Sequence, residues 1–258
     1  MIELSGVGLH SGQRATVRFH QAEGPVRFWV GGQEIPARAS AVVDTLRCTV
    51  LGVGAARVAT VEHLLGALWL KGLWRGLLIE VEGPEIPILD GSACEWLRAL
   101  EPLPATPLPP RPLPHPVRVQ EGGGQLVAEP ASGFCLSVSI TFKHPLIGYR
   151  RFESPPSRLM EVAEARTFGF LQDLEALRAQ GLAHGASLEN TLVYTQTSSL
   201  NTPRLPDEPV RHKALDFLGD VYLAGAPFLG HFNVHRGSHR LHVALARALE
   251  ALAWGDQG

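Results

Sequence analysis

The chain has 258 residues, 45% of them hydrophobic and 19% charged, with a formal net charge of −2. That is the balance of a globular protein able to bury a sizeable core as one large domain or two small ones. With no basic run and lysine only at Lys71, Lys143 and Lys213, the composition argues against a nucleic-acid partner.

Residues 1–6 lack a positive segment followed by an apolar run, so no signal peptide is expected. Residues 15–19 alternate apolar and polar side chains, the pattern of a half-buried strand, and residues 26–30 predict a second. Thr60 is placed to cap a helix running to about Leu70, its hydroxyl accepting an orphan N–H. The longest apolar stretch, residues 64–81, is interrupted by Lys71, Arg75 and Glu80, which excludes a transmembrane segment. Residues 76–81 predict a strand, and Gly91 and Ser92 open a helix over residues 93–100.

Residues 101–116 then read EPLPATPLPPRPLPHP. Proline removes donors and fixes φ, so neither a helix nor a central strand can run through this segment. It is expected to be an extended, fairly stiff linker over residues 104–116, joining an N-terminal domain (1–103) to a C-terminal one (117–258). Both halves read as α+β, strands first and helices later, with too little sequence similarity between them to claim a duplication.

In the second half Gly122, Gly123 and Gly124 mark a hairpin or loop, and residues 136–142 alternate as a strand. Residues 170–180 have helical spacing that stops at Gly181, and residues 192–194 make a short strand. A helix carrying His212 follows, and a last helix runs from about Leu241 to Trp254. Cys48, Cys94 and Cys135 are odd in number and form no CxxC pair, so they are expected to be reduced thiols in a cytosolic protein.

The chemistry concentrates on the His212 helix. His212, Asp216 and Asp220 fall at i, i+4 and i+8, on one face, while Val210, Ala214, Phe217, Leu218 and Val221 make the helix half buried. An imidazole and a carboxylate one turn apart supply two ligands to a divalent metal, and Thr60-Val61-Glu62-His63 offers a third. Catalytic zinc typically takes three protein ligands and leaves one position for water, a count that His63, His212 and Asp216 fit. Glu62 is then placed as general base and His239, in a Gly-Ser-flanked turn, as proton donor to a leaving amine. Asp220 would orient that histidine, and the Thr167 hydroxyl would meet a developing oxyanion. Taken singly, each pattern is ordinary. A Glu-His pair at a helix start is usually a solvated turn, and His-x3-Asp a surface pair. His239 alone reads as a loop histidine, as do His231, His235 and His242. The chain has no HExxH, P-loop, GxSxG, or GxGxxG after a strand.

Six blocks in order carry a resemblance through nearly the whole chain. They are GVGLHSG from Gly6, TVEHLL from Thr60, GPEIPILDGSA from Gly83, ARTFGF from Ala165, SLEN from Ser187, and VRHKALD from Val210 with Gly219 and Asp220. In these the sequence resembles the UDP-3-O-acyl-N-acetylglucosamine deacetylases, the zinc amidases of lipid A biosynthesis. The resemblance implies two domains, each a sheet-and-helix layer, with the helices sandwiched between the sheets. It implies one zinc ion per chain on His63, His212 and Asp216, with Glu62 as base, His239 as acid tuned by Asp220, and Thr167 on the oxyanion. It further implies that Lys213 contacts the substrate and that Phe168 lines the sugar site. The substrate would be a UDP-sugar bearing an acyl chain, hydrolysed to acetate and an amine by a cytoplasmic monomer. Needing both a base and an acid, the reaction should show a bell-shaped pH profile. An insert near residues 170–193 would build an apolar passage for the acyl chain, with Leu171, Leu174, Leu177 and Leu182 either lining it or forming plain core.

The sequence departs from the family at two places. Ser238 stands where a glycine usually precedes the acid histidine, and His242 where an asparagine follows, with Arg240 between. After the His63 helix, Leu73-Trp74-Arg75-Gly76 replaces an Asp-Asn pair. Two other readings therefore stand beside the deacetylase: a related zinc amidase acting on another N-acylated sugar nucleotide, and a non-catalytic binding protein on the same fold.

Overall fold

The alternation at residues 15–19 becomes part of a twelve-residue strand in the computed structural model, which describes residues 2–255. Ala15, Val17 and Phe19 turn inward and are buried, as a period of two requires. The first half contains β1 (Ile2–Val7), β2 (Arg14–Pro25), β3 (Arg27–Val30), β4 (Gln33–Pro36), β5 (Val42–Asp44), β6 (Val50–Val53) and β7 (Ala56–Val58). Helix α1 (Glu62–Lys71), strand β8 (Arg75–Glu82) and helix α2 (Cys94–Leu100) complete it. The second half contains β9 (Arg111–Pro112), β10 (Val117–Glu121), β11 (Gly124–Glu129), β12 (Phe134–Phe142), β13 (Gly148–Ser154) and β14 (Phe168–Phe170). Helix α3 (Leu174–Ala179), β15 (Leu192–Tyr194), α4 (Glu208–Tyr222), β16 (Phe228–His235) and α5 (His239–Trp254) follow.

The two large sheets share one plan. Their orders are β1-β2-β8-β3-β4 and β10-β11-β16-β12-β13. Along each path the late strand enters the middle, antiparallel to one neighbour and parallel to the other: β8 to β2 and β3, β16 to β11 and β12. A helix precedes and another follows that strand in both halves. The repetition lies in topology, where burial pattern is kept while residue identity drifts.

The helices lie between the sheets. Trp96 of α2 meets Phe19 of β2 edge to face at 6.3 Å, and Phe217 of α4 meets Phe232 of β16 at 5.8 Å. Helix α1 packs on α2 and α4, and α4 on α5. Two glycines bring α1 and α4 unusually close. A Cβ at Gly66 would lie 2.7 Å from Leu215 Cδ1, and one at Gly219 only 1.9 Å from the Glu62 carbonyl oxygen. Only glycine lets the backbones meet at that separation. The consequence is a buried meeting point of helices at Glu62.

The proline seam is extended but not free. Thr106 donates its hydroxyl to Arg75 O at 2.7 Å and receives the Trp74 and Arg75 N–H groups. Strand β9 pairs with β16, and the Arg111 and Arg38 guanidinium groups lie over the Trp254 ring, at 4.7 and 4.4 Å from its centroid.

Four local expectations are corrected. Thr60 does not cap α1: its φ is 58° and its hydroxyl donates to Glu85 at 2.7 Å. Helix α4 is not half buried but buried everywhere except Arg211 and Lys213, because it runs between the layers. The helical spacing of residues 170–180 overlooks a strand ending at Phe170, and α3 occupies only Leu174–Ala179. Helix α5 begins two residues earlier than expected, since the Ser238 hydroxyl caps it by accepting the Leu241 N–H at 3.3 Å. His239 therefore opens a helix rather than sitting in a turn, and His242 is a buried helical residue rather than a loop histidine.

Candidate metal centre and active site

Three helix segments converge. The start of α1 brings Glu62 and His63, the middle of α4 brings His212, Asp216 and Asp220, and the start of α5 brings His239 and His242. All seven are buried.

His63 Nε2 lies 3.3 Å from Asp216 Oδ1, and His212 Nε2 lies 3.3 Å from Asp216 Oδ2. The two rings stand edge to face with centroids 5.1 Å apart. Ligands held tetrahedrally at zinc distances are separated by about 3.3–3.4 Å. Each imidazole stands at that spacing from a carboxylate oxygen, and one ligand atom from each of the three residues lies within 4.8 Å of the others. Burial holds the His212 imidazole well below its ordinary pKa, which keeps it neutral and able to ligate. Burial pushes Asp216 the other way, but His212 and Lys213 outweigh it and its carboxyl lies well below the usual range. His63, His212 and Asp216 therefore fit a divalent metal such as zinc in donor type and spacing.

A second group, Asp220 with His239 and His242, also has metal-capable atoms together. Its contacts are shorter. His239 Nδ1 and His242 Nδ1 lie 2.8 and 2.9 Å from the same oxygen, Asp220 Oδ2, which is hydrogen-bond spacing. Burial alone would lower the His239 pKa, but the Asp220, Glu62 and Asp216 carboxylates raise it to about 9. His239 Nε2 lies 4.0 Å from Glu62 Oε1 and from Asp216 Oδ2. Burial raises the Glu62 pKa against the opposing pull of His239. Thus a carboxylate biased towards its neutral form and an imidazole biased towards its cation face each other beside the His63–His212–Asp216 group, a pairing suited to moving protons in both directions.

A cavity of about 530 Å³ opens over this centre, with Glu62, His63, His212, Asp216, His239 and Thr167 at its polar end. Thr167 is held there by its backbone, donating to Gly91 O at 2.8 Å and accepting from Leu192 N at 2.9 Å. Lys213 also lines the cavity, its Nζ 2.7 Å from Asp216 Oδ2 and 5.9 Å above the Phe168 ring. Phe168 in turn stands edge to face with His212 at 5.7 Å. Away from the polar end the walls become apolar, with Phe142, Phe170, Leu171, Leu174, Leu177 and Leu200. None of these leucines is buried in the core, so the plain-core alternative fails for Leu171, Leu174 and Leu177. Leu182 is corrected: Ala183 lines the cavity beside it and Leu182 does not.

Two residues escaped the sequence reading. His10 lines the cavity with both ring nitrogens buried and without a hydrogen-bond partner among the described residues. It stands inside the first resemblance block, where its signal was available. Thr49 donates its hydroxyl to Asp220 Oδ1 at 2.5 Å and lies in no motif. The Leu73–Gly76 departure is a packing matter: Trp74 stacks on Tyr222 with centroids 4.4 Å apart.

The model of the family described as UDP-3-O-acyl N-acetylglycosamine deacetylase matches residues 1–251. A protein of Thermosynechococcus vestitus named UDP-3-O-acyl-N-acetylglucosamine deacetylase is 44% identical over 257 residues, covering 95% of this chain and 90% of its own. Proteins of the same name from Anaeromyxobacter dehalogenans and Brucella melitensis biotype 2 are 42% and 38% identical. They cover 97% and 96% of this chain, and 85% and 92% of their own lengths.

Proposed function

This chain belongs to the UDP-3-O-acyl N-acetylglycosamine deacetylase family, and from that membership we propose how its own residues carry out the reaction. The enzyme is a hydrolase that removes the N-acetyl group of a UDP-3-O-acyl-N-acetylglucosamine in lipid A biosynthesis. His63, His212 and Asp216 would hold one zinc ion, which when bound supplies a water of lowered pKa and a Lewis-acid contact for the carbonyl oxygen.

Glu62 accepts the proton that the attacking water loses as its oxygen bonds to the acetyl carbon. The Thr167 hydroxyl donates to the oxygen that gains charge. His239 Nε2 delivers a proton to the amide nitrogen as the C–N bond breaks, because an unprotonated amine leaves poorly. Acetate and the free amine result. Asp220 holds His239 through Nδ1, which fixes Nε2 as the atom facing the substrate. Lys213 contacts the sugar-nucleotide or the acyl-linked portion, Phe168 lines the sugar site, and the leucine-lined part of the cavity takes the acyl chain. The domains divide at 1–103 and 117–258 across the 104–116 linker, and the chain works as a cytoplasmic monomer without nucleic acid. Among the described residues no helix is long and apolar enough to cross a membrane, and the three cysteines are unpaired.

The observation that carries this reading is the pair of imidazole Nε2 atoms, each 3.3 Å from a different oxygen of one buried carboxylate. Its test is zinc stoichiometry together with acetate release from substrates with and without the 3-O-acyl group. One zinc per chain, lost in His63→Ala, and turnover requiring the acyl group support it. Equal turnover without the acyl group assigns the site to another N-acyl sugar nucleotide.

A further inference from the structure

Thr49 is completely buried and every polar group it carries is used. Its N–H donates to Glu62 Oε2 at 3.1 Å, its carbonyl accepts the Val61 N–H at 3.4 Å, and its hydroxyl donates to Asp220 Oδ1 at 2.5 Å. The backbone is thereby stitched to the start of α1 and the side chain to α4. One residue spans the carboxylate of the proposed base and the carboxylate that anchors the proposed acid.

The consequence for Asp220 is geometric. Oδ1 receives the Thr49 hydroxyl, and Oδ2 receives Nδ1 of both His239 and His242. Three donors on two oxygens leave the carboxylate no free rotation, so the His239 ring that hangs from it is fixed as well. Glu62 is tethered by one bond, from the Thr49 N–H to Oε2, and its Oε1 lies 4.0 Å from His239 Nε2. Reacting groups must be held to well under an ångström, and a misplacement of about 1 Å can cost 10²-fold in rate. Thr49 is not among the residues lining the cavity, and its side-chain and N–H hydrogen bonds go to Asp220 and Glu62 rather than to the three proposed metal ligands.

We propose that Thr49 is a positioning residue for the deacetylation, tying Glu62 and Asp220 to one rigid point, with His242 as the second brace on Asp220. This rests on the assignment of Glu62 and His239 to proton transfer. His242 stands where the family usually has asparagine, which can donate from a similar place. The family's asparagine and this chain's histidine are thus two ways of supplying one hydrogen bond.

The test compares Thr49→Val, which keeps shape and backbone but removes the donor, with Thr49→Ser, which keeps the donor. Acetate release from UDP-3-O-(3-hydroxyacyl)-N-acetylglucosamine is measured alongside zinc content and melting temperature. Thr49→Val is expected to lower kcat by about 10- to 100-fold with KM within about two-fold and zinc content unchanged. Thr49→Ser is expected to recover most of the loss. Should Thr49→Val not fold, His242→Phe reads the same anchor, with a kcat loss that His242→Asn largely avoids. Unchanged kcat in a folded Thr49→Val or His242→Phe, a loss confined to KM, or no recovery with serine overturns the proposal. Absence of turnover in the unsubstituted chain is a different result, and it removes the deacetylase assignment and this proposal together.

Discussion

His239 Nδ1 lies 2.8 Å from Asp220 Oδ2, so a single buried carboxylate fixes which nitrogen of that imidazole faces the cavity. Asp220 is fully buried and keeps its charge against burial because His239 and His242 hold its pKa below the ordinary value. Asp220→Asn retains the shape and loses the charge. It is expected to lower kcat by about 10²-fold with little change in KM, since general acid–base catalysis contributes on that scale. Steady-state kinetics on the purified variant checks this.

The pH dependence follows from the same pair. Burial raises the Glu62 pKa, and as the proposed base Glu62 would work only when deprotonated, so activity is expected to climb as pH rises through that value. The surrounding carboxylates raise His239 to about 9, and as the proposed acid His239 would work only when protonated, so activity is expected to fall as pH rises through its pKa. A bound dication lowers both by its charge, which puts the alkaline limb at or below about 9. The profile of kcat/KM is expected to be a bell, and His239→Ala to flatten its alkaline side. An alkaline limb unaltered by His239→Ala would contradict the assignment of the acid.

The apolar passage makes a prediction about chain length. Leu177 projects into the cavity from α3, a helix that buries no residue in the core. Leu177→Trp fills space there without disturbing the polar end. The variant is expected to keep kcat on short acyl substrates and to raise KM by about ten-fold on long ones, the ~1.4 kcal/mol equivalent of losing about two buried methylenes. A series of substrates of graded acyl length reads it.

The Arg166–Glu208 pair predicts a stability effect. Glu208 is wholly buried and takes the Arg166 backbone N–H at 3.0 Å, its guanidinium at 2.8 Å and the Arg204 N–H at 2.6 Å. The pair ties the Thr167 segment to the start of α4. Arg166→Met leaves a buried carboxylate without its cation, a loss of about 3–5 kcal/mol. Denaturant unfolding of the two proteins measures it.

That His63, His212 and Asp216 come together was legible because two of them sit one helical turn apart and the third opens another apolar helix, so spacing brought them into consideration, while their proposed role as ligands came from the resemblance. His10 and Thr49 were harder. Both lie in segments without a periodic signal, and their partners are 75 and 171 positions away for Glu85 and Asp220 respectively. Such contacts exist only once β-pairing and helix layering have formed. His239 looks like a loop residue for a related reason: the Ser238 cap that extends α5 to include it is a single hydrogen bond. His242 falls inside the expected helix, but its burial against Asp220, 22 positions away, has no sequence signal. The shared plan of the two sheets was invisible because topology is set by burial pattern and connection, not by residue identity.

Acetate release by the zinc-loaded protein and by Glu62→Ala, with zinc content measured in parallel, separates proton transfer by Glu62 from metal binding. The account predicts that the variant keeps one zinc per chain and loses about 10²-fold or more in kcat, because Glu62 moves the proton and does not hold the metal. Turnover of Glu62→Ala equal to that of the unsubstituted chain, with zinc retained in both, would contradict it.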